Sequence, residues 1–252
     1  MNADPNTLFA LAIAVLLGSY VQAVAGFAMG MIMMATMGAF GQLSLPALTA
    51  IVSLVSGLNI FLSLRGHLHE INRTVLFSMM IGQLPAIVFG VYLINVLDGD
   101  AQSILQTLLG VFISWAGISM MLRPTPIDRV SPRWSCMLAG AGGGLFGGLF
   151  SASGPVAGWF LYRQPLVLAQ IRATLLSYFA VATVWRTATV GVSGGLTSEV
   201  WALTAVATPL VFIGTWIGRR FPPQVSLRTM RRAVAMMLIA LGVYIVVKPL
   251  VA

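Results

Sequence analysis

The sequence predicts an all-α polytopic membrane protein made of two inverted repeats. Each repeat is a broken, re-entrant helical hairpin followed by three transmembrane helices. Three observations lead there: a composition almost free of charge, eight apolar runs, and a self-similarity at an offset of about 125 residues. Of the 252 residues, 58% are hydrophobic and 8% charged, with a mean hydropathy of +0.94. A soluble domain would carry about 25% charged residues. No segment between the apolar runs is long enough to fold alone.

The runs cover Leu8–Phe40, Leu45–Leu64, Val75–Leu97, Ile104–Leu122, Trp134–Tyr162, Ile171–Val192, Val200–Ile217 and Ala233–Val251. A helical span takes about 20 apolar residues, so six runs are ordinary spans. The first and fifth are longer and carry Gly-rich breaks. The first starts without a basic n-region or small-residue cleavage site and is expected to be retained. Within the fifth run, Gly140, Gly144 and Gly148 repeat at the spacing that lets helix backbones approach closely.

Sliding the chain on itself by about 125 places sets Thr49 on Thr174, Gly117 on Gly242 and Arg123-Pro124 on Lys248-Pro249. Pro85 and Gly90 match Pro209 and Gly214 after a one-residue slip. The break Gly26-Phe27-Ala28-Met29-Gly30 lands on Ser151-Ala152-Ser153-Gly154-Pro155. The expected units are therefore 1–125 and 126–252, with four apolar segments each.

Charge sets the expected topology. Connections 65–73, 123–133 and 219–232 carry arginines and should be cytoplasmic; 95–102 and 193–199 carry only acidic charge and should face outward. Eight full crossings would put 123–133 and 219–232 on opposite sides. Three crossings plus one hairpin per repeat puts them on the same side, makes Arg163 and Arg172 cytoplasmic, and leaves Lys248 as the exception. Three is odd, so the second repeat is inverted, as in many secondary transporters.

Composition also excludes function classes. The net charge of +8 is spread over connections and helix ends, with only Arg186 and Lys248 elsewhere, so no nucleic acid partner is expected. Cys136 is the only cysteine, which excludes an internal disulfide. His67 and His69 form a lone H-x-H in a polar loop and read as solvated; no metal or other cofactor is expected. Gly142, Gly144 and Gly147 match a dinucleotide fingerprint, but no strand precedes them. The acidic residues all lie in the N-terminal tail or connections, leaving no intramembrane carboxylate for a proton relay or sodium site. With no histidine, cysteine or carboxylate in position as base or nucleophile, an enzyme is disfavoured.

Non-helical backbone at membrane depth survives where protein buries it or where it lines a wet cavity. The two breaks are therefore the leading site candidates. Gly154-Pro155 should open a half-helix, since proline suits the first turn, and Ser151 and Ser153 fall on its N-cap side. Free N–H groups and the helix dipole there favour an anion. Pseudo-symmetry would set the Gly26–Gly30 turn opposite. In the sixth run Thr174, Tyr178, Trp185, Arg186, Thr189 and Ser193 share a face; in the second, Thr49, Ser53, Ser56, Asn59 and Ser63 do so. Arg186 reads in two ways: a guanidinium facing an oxyanion, or a side chain snorkelling outward beside Trp185.

Gly26-Phe27-Ala28-Met29-Gly30, Phe150-Ser151-Ala152-Ser153-Gly154-Pro155 and the matched Pro85/Pro209 resemble the TauE/SafE sulfite-exporter family, also called the toluene sulfonate uptake permease family. The resemblance spans nearly the whole chain. It implies a bacterial inner-membrane permease exporting sulfite or organosulfonates such as sulfoacetate, with Gly26, Phe27, Gly30, Gly154 and Pro155 lining or shaping the site. Ser151 and Ser153 depart from the family, where glycines are commoner there. The expected substrate-binding set is Gly26, Phe27, Ala28, Gly30, Ser56, Asn59, Ser151, Ser153, Gly154, Pro155, Tyr178 and Arg186. The expected partners are a small anionic substrate and the bilayer, with a homodimer left open; the membrane potential is the expected driving force. A rival reading is a non-transporting membrane assembly or insertion factor, with Arg186 in a lipid-open groove.

Overall fold

The computed structural model describes residues 5–25, 28–40, 43–64, 68–97, 101–121, 126–221 and 227–251. Among them the regular elements are all helical: α1 (Pro5–Ala25), α2 (Met29–Phe40), α3 (Leu45–Leu64), a single 3-10 turn (Leu68–Glu70), α4 (Arg73–Leu97), α5 (Gln102–Met121), α6 (Arg133–Phe150), α7 (Gly154–Arg163), α8 (Leu168–Val192), α9 (Ser198–Arg220) and α10 (Leu227–Val251). Stretches of α1, α3, α4, α5, α8 and α9 are long and apolar enough to cross a membrane. With 12 and 10 residues, α2 and α7 reach only about 18 and 15 Å at ~1.5 Å per residue, against a hydrocarbon core of ~30 Å.

Among the described residues the eight apolar runs thus become ten α-helices, because the first run divides into α1 and α2 and the fifth into α6 and α7. Gly26 and Phe27 lie outside the described residues; Ala28, beside them, has φ 92°. At the second break Ser151 takes the left-handed conformation (φ 53°, ψ 27°) and closes α6, its N–H donating to the Gly147 carbonyl at 3.0 Å. Such a residue commonly ends a helix by satisfying orphan carbonyls. The chain then turns back on itself. A Cβ on Gly147 would lie 3.3 Å from Ser153 Cβ, and one on Gly142 3.3 Å from Val156 Cγ1.

The open ends of α6 and α7 are tied together. Ile127 N–H donates to the Arg163 carbonyl at 2.9 Å, and Ser131 N–H to Gln164 Oε1 at 2.9 Å. Gln164 Nε2 returns a bond to Ser131 Oγ at 3.0 Å. These two helices form a hairpin with both ends on one side. Likewise α2 folds back along α1: a Cβ on Gly18 would meet Met29 Cγ at 3.2 Å.

Glycines set the closest helix contacts. On α6, a Cβ on Gly140, Gly144 or Gly148 would strike the carbonyls of Met79, Gln83 and Ile87 in α4. Gly110 and Gly242 hold α5 against α10 in the same way, and Gly214 and Gly218 hold α9 against α1. In lipid, where exclusion of water does not drive helix pairing, this close van der Waals approach is the main source of association. The short α2 is buried on most of its surface, and Met29, Met31, Met33, Met34 and Met37 fill the irregular space around it. Outward-facing Phe77, Ile81, Trp115, Trp201 and Phe212 remain exposed, as a surface solvated by lipid tails would have them.

Candidate functional site

The two breaks meet. A Cβ on Gly30 would stand 2.5 Å from the Ser151 carbonyl oxygen, so only glycine permits this approach. Between them lies a cavity of about 50 Å³. Of the residues expected at the site, Ala28, Gly30, Ser56, Ser151, Ser153, Gly154 and Arg186 line it. Gly26 and Phe27 lie outside the described residues.

Three expected residues are not among those lining it. Tyr178 is fully buried, and its hydroxyl donates to the Gly140 carbonyl at 3.0 Å. Asn59 Nδ2 donates to Thr215 Oγ1 at 2.7 Å. Pro155 is buried in the first turn of α7. The polar face expected on α8 divides: Thr174, Tyr178 and Arg186 are buried, whereas Trp185 is 43% exposed and Ser193 is exposed.

Arg186 is 2% exposed, which contradicts both the snorkelling reading and the lipid-open groove of the rival reading. Its guanidinium turns inward because three oxygens on α3 and α6 await it. Nε–H donates to the Gly148 carbonyl at 3.1 Å, and Nη1 donates to the Thr49 carbonyl at 2.9 Å and Ser53 Oγ at 2.8 Å. Ser53 in turn shares a 2.7 Å hydrogen bond with Ser151 Oγ, linking the arginine to the second break. Nη2, with two further N–H donors, has no partner among the described residues. The only ion pair among the described residues is His69–Glu70, so no carboxylate offsets this charge. Neutral oxygens hold a cation whose unpaired burial costs several kcal/mol.

Other groups point the same way. Ser56 Oγ is buried without a partner. Gln22, which the sequence reading missed, also lines the cavity. Its Oε1 accepts from Met29 N–H at 3.1 Å, leaving Nε2 buried and unpartnered. The first-turn N–H of α2 at Met29 is thus taken by a side chain. At the second break, Ser153 occupies the N-cap of α7 but makes no side-chain capping bond. A single amide in α1 could have been flagged as an intramembrane polar residue, but no periodic partner drew attention to it. Phe179 and Thr183, also lining residues, carried no sequence signal beyond helical spacing.

Helix breaks around a cavity lined by Gln22, Ser56 and Arg186, inside a bundle of helices long and apolar enough to cross a membrane, are an arrangement that many secondary transporters share, which places the chain in the class of membrane transporters. The chain belongs to the TauE/SafE sulfite exporter family, whose model, described as "Sulfite exporter TauE/SafE", matches residues 10–245. It is similar to a protein of Cupriavidus necator named "Probable sulfite/organosulfonate exporter TauE", with 37% identity over 225 residues, 89% of this chain and 88% of the relative. It is also similar to the "Probable inner membrane transporter protein TsaS" of Comamonas testosteroni, with 34% identity over 142 residues, 54% of this chain and 57% of that one. No solved structure matches the chain. The chain is a multi-pass inner-membrane transporter rather than an enzyme.

Proposed function

We propose that the chain exports a small sulfur oxyanion, sulfite or the sulfonate head of an organosulfonate, held between the two helix breaks. One observation carries this reading: Arg186 is buried, lines the cavity and, among the described residues, has neither a carboxylate partner nor a partner for Nη2. Guanidinium matches oxyanion geometry, and Ser56 and Gln22 supply further donors there. The names of the two relatives agree with a sulfur-anion cargo.

The packing supports two inverted repeats as the transporting frame. Exchanging α1–α5 for α6–α10 in order turns the α4–α6 pairing into α9–α1, and α1–α2 into α6–α7; it leaves α5–α10 and α3–α8 unchanged, and all of these pairs pack together. The tied ends of α6 and α7 support a hairpin that returns to the side it left.

Export of the anion is driven by the membrane potential alone. An inside-negative potential favours exit by about 2.3 kcal/mol per charge per 100 mV, roughly a fifty-fold gradient. The test is radiolabelled sulfite efflux from proteoliposomes, with the potential clamped by potassium and valinomycin and proton and sodium gradients imposed separately. Efflux should follow the potential. Flux that ignores it but follows an imposed proton or sodium gradient contradicts the reading.

A further inference from the structure

A second, larger cavity of about 410 Å³ lies where the ends of α1, α3 and α9 meet the 3-10 turn and the start of α8. Its chemistry differs from that of the central cavity. Arg172 and Arg219 line it together with Glu70, so two guanidiniums face one carboxylate. Among the described residues neither arginine is ion-paired, and Glu70 pairs only with exposed His69, at 3.9 Å. Arg172 Nε and Ser63 Oγ are buried and have no partner among the described residues. Arg219 Nη2 donates to the Leu62 carbonyl, which fixes its position at the rim. Gln22 lines both cavities, the one described residue common to the two linings.

We propose that this vestibule is a second anion-binding site, which captures a sulfite or sulfonate oxyanion before it passes Gln22 to the central cavity. This rests on the central-site reading for its direction, though not for the binding itself. The sizes suit the order of events: about 410 Å³ admits an anion with an organic tail, whereas about 50 Å³ admits little more than the oxyanion head. Glu70 opposes an incoming anion and keeps the vestibule from becoming a trap. Gln22, with Oε1 held by Met29 and Nε2 free, offers a neutral donor at the constriction.

The test is equilibrium binding of radiolabelled sulfite to the full chain in lipid nanodiscs at low salt. The wild type should show two classes of site. R172Q/R219Q should abolish one class and R186Q the other, and R172K/R219K should retain both. E70Q should tighten the vestibule class roughly fivefold, the effect of removing one nearby charge, and a gain in affinity does not arise from misfolding. Added salt should weaken the vestibule class more than the buried one. A single class, lost in R186Q and unmoved by R172Q/R219Q and E70Q, overturns the vestibule site. A single class lost only in R172Q/R219Q overturns the central site and leaves the vestibule standing.

Discussion

The two helix breaks occupy corresponding places in the chain and are finished differently. At the first, Gln22 reaches from α1 to hold Met29 N–H, and Gly30 presses against the opposite break. At the second, Ser151 adopts a left-handed turn, Pro155 opens α7 and no side chain caps it. About 125 places on from Gln22 stands Gly147; from Ser56, Val181; from Phe61, Arg186. The two breaks recur at one offset in the sequence while the polar groups around them are shared out unequally. If the halves arose by duplication, as proposed, a transporter that binds one anion needs only one set of donors, and each half is free to supply a different part.

The largest effect should come from removing the charge. R186Q should reduce sulfite efflux at least tenfold in proteoliposomes, because it deletes the cation and leaves the Thr49 and Gly148 carbonyls short of donors. R186K should recover part of the flux, since it keeps the charge but loses the guanidinium fork. Efflux at the wild-type rate in a folded R186Q protein would remove Arg186 from the mechanism.

Next, the breaks should respond unequally to one added methyl group. Gly30→Ala drives a Cβ to 2.5 Å from a backbone oxygen, and should lower the thermal midpoint and abolish transport. Gly154→Ala places its Cβ 3.4 Å from the end of Met31, an ordinary contact, and should leave the midpoint nearly unchanged. Gly154→Leu, which projects into the cavity, should abolish transport while leaving membrane insertion intact. Equal loss of stability in the two alanine variants would break the comparison.

A smaller effect is expected at Gln22. Gln22→Leu removes both the cap on α2 and a donor at the cavity, so stability should fall by about 1 kcal/mol. The sulfite concentration at half-maximal efflux should rise several-fold. An unchanged half-maximal concentration would confine Gln22 to a structural role.

The smallest perturbation tests orientation. Single cysteines at positions 127 and 225, in a background lacking Cys136, should be labelled only from the cytoplasmic side, and one at 99 only from outside. Labelling of 127 and 225 from opposite sides would contradict the inverted hairpins.

Much of the architecture was legible because lipid imposes it. Charge-free runs of spanning length fold as helix, and the Gly-rich stretch at 26–30 and the Ser-Gly-Pro stretch at 151–155 fall at the α1–α2 and α6–α7 junctions. The close-packing role of Gly140, Gly144 and Gly148 was legible from spacing alone. The site was legible only in part. A helical wheel places Tyr178 and Arg186 on one face, but it does not say that Tyr178 meets the Gly140 carbonyl while Arg186 meets the second break. Gln22 escaped because its importance depends on α2 folding back along α1, a tertiary contact that one residue in an apolar run does not announce. Arg186 could be read either way until its neighbours were known, since the same side chain snorkels on a lipid-facing helix and stays inside where carbonyls wait for it.

The central claim is that an oxyanion sits between the two breaks against Arg186. Selenite shares the charge and pyramidal shape of sulfite and carries a strong anomalous scatterer. Once selenite is shown to compete with sulfite for efflux, crystals of the chain soaked in it should be measured at the selenium edge. The account predicts an anomalous peak within hydrogen-bonding distance of Arg186 Nη2, in the cavity walled by Gly30, Ser56 and Ser151. A transport-competent protein whose selenium peak lies only elsewhere would contradict it.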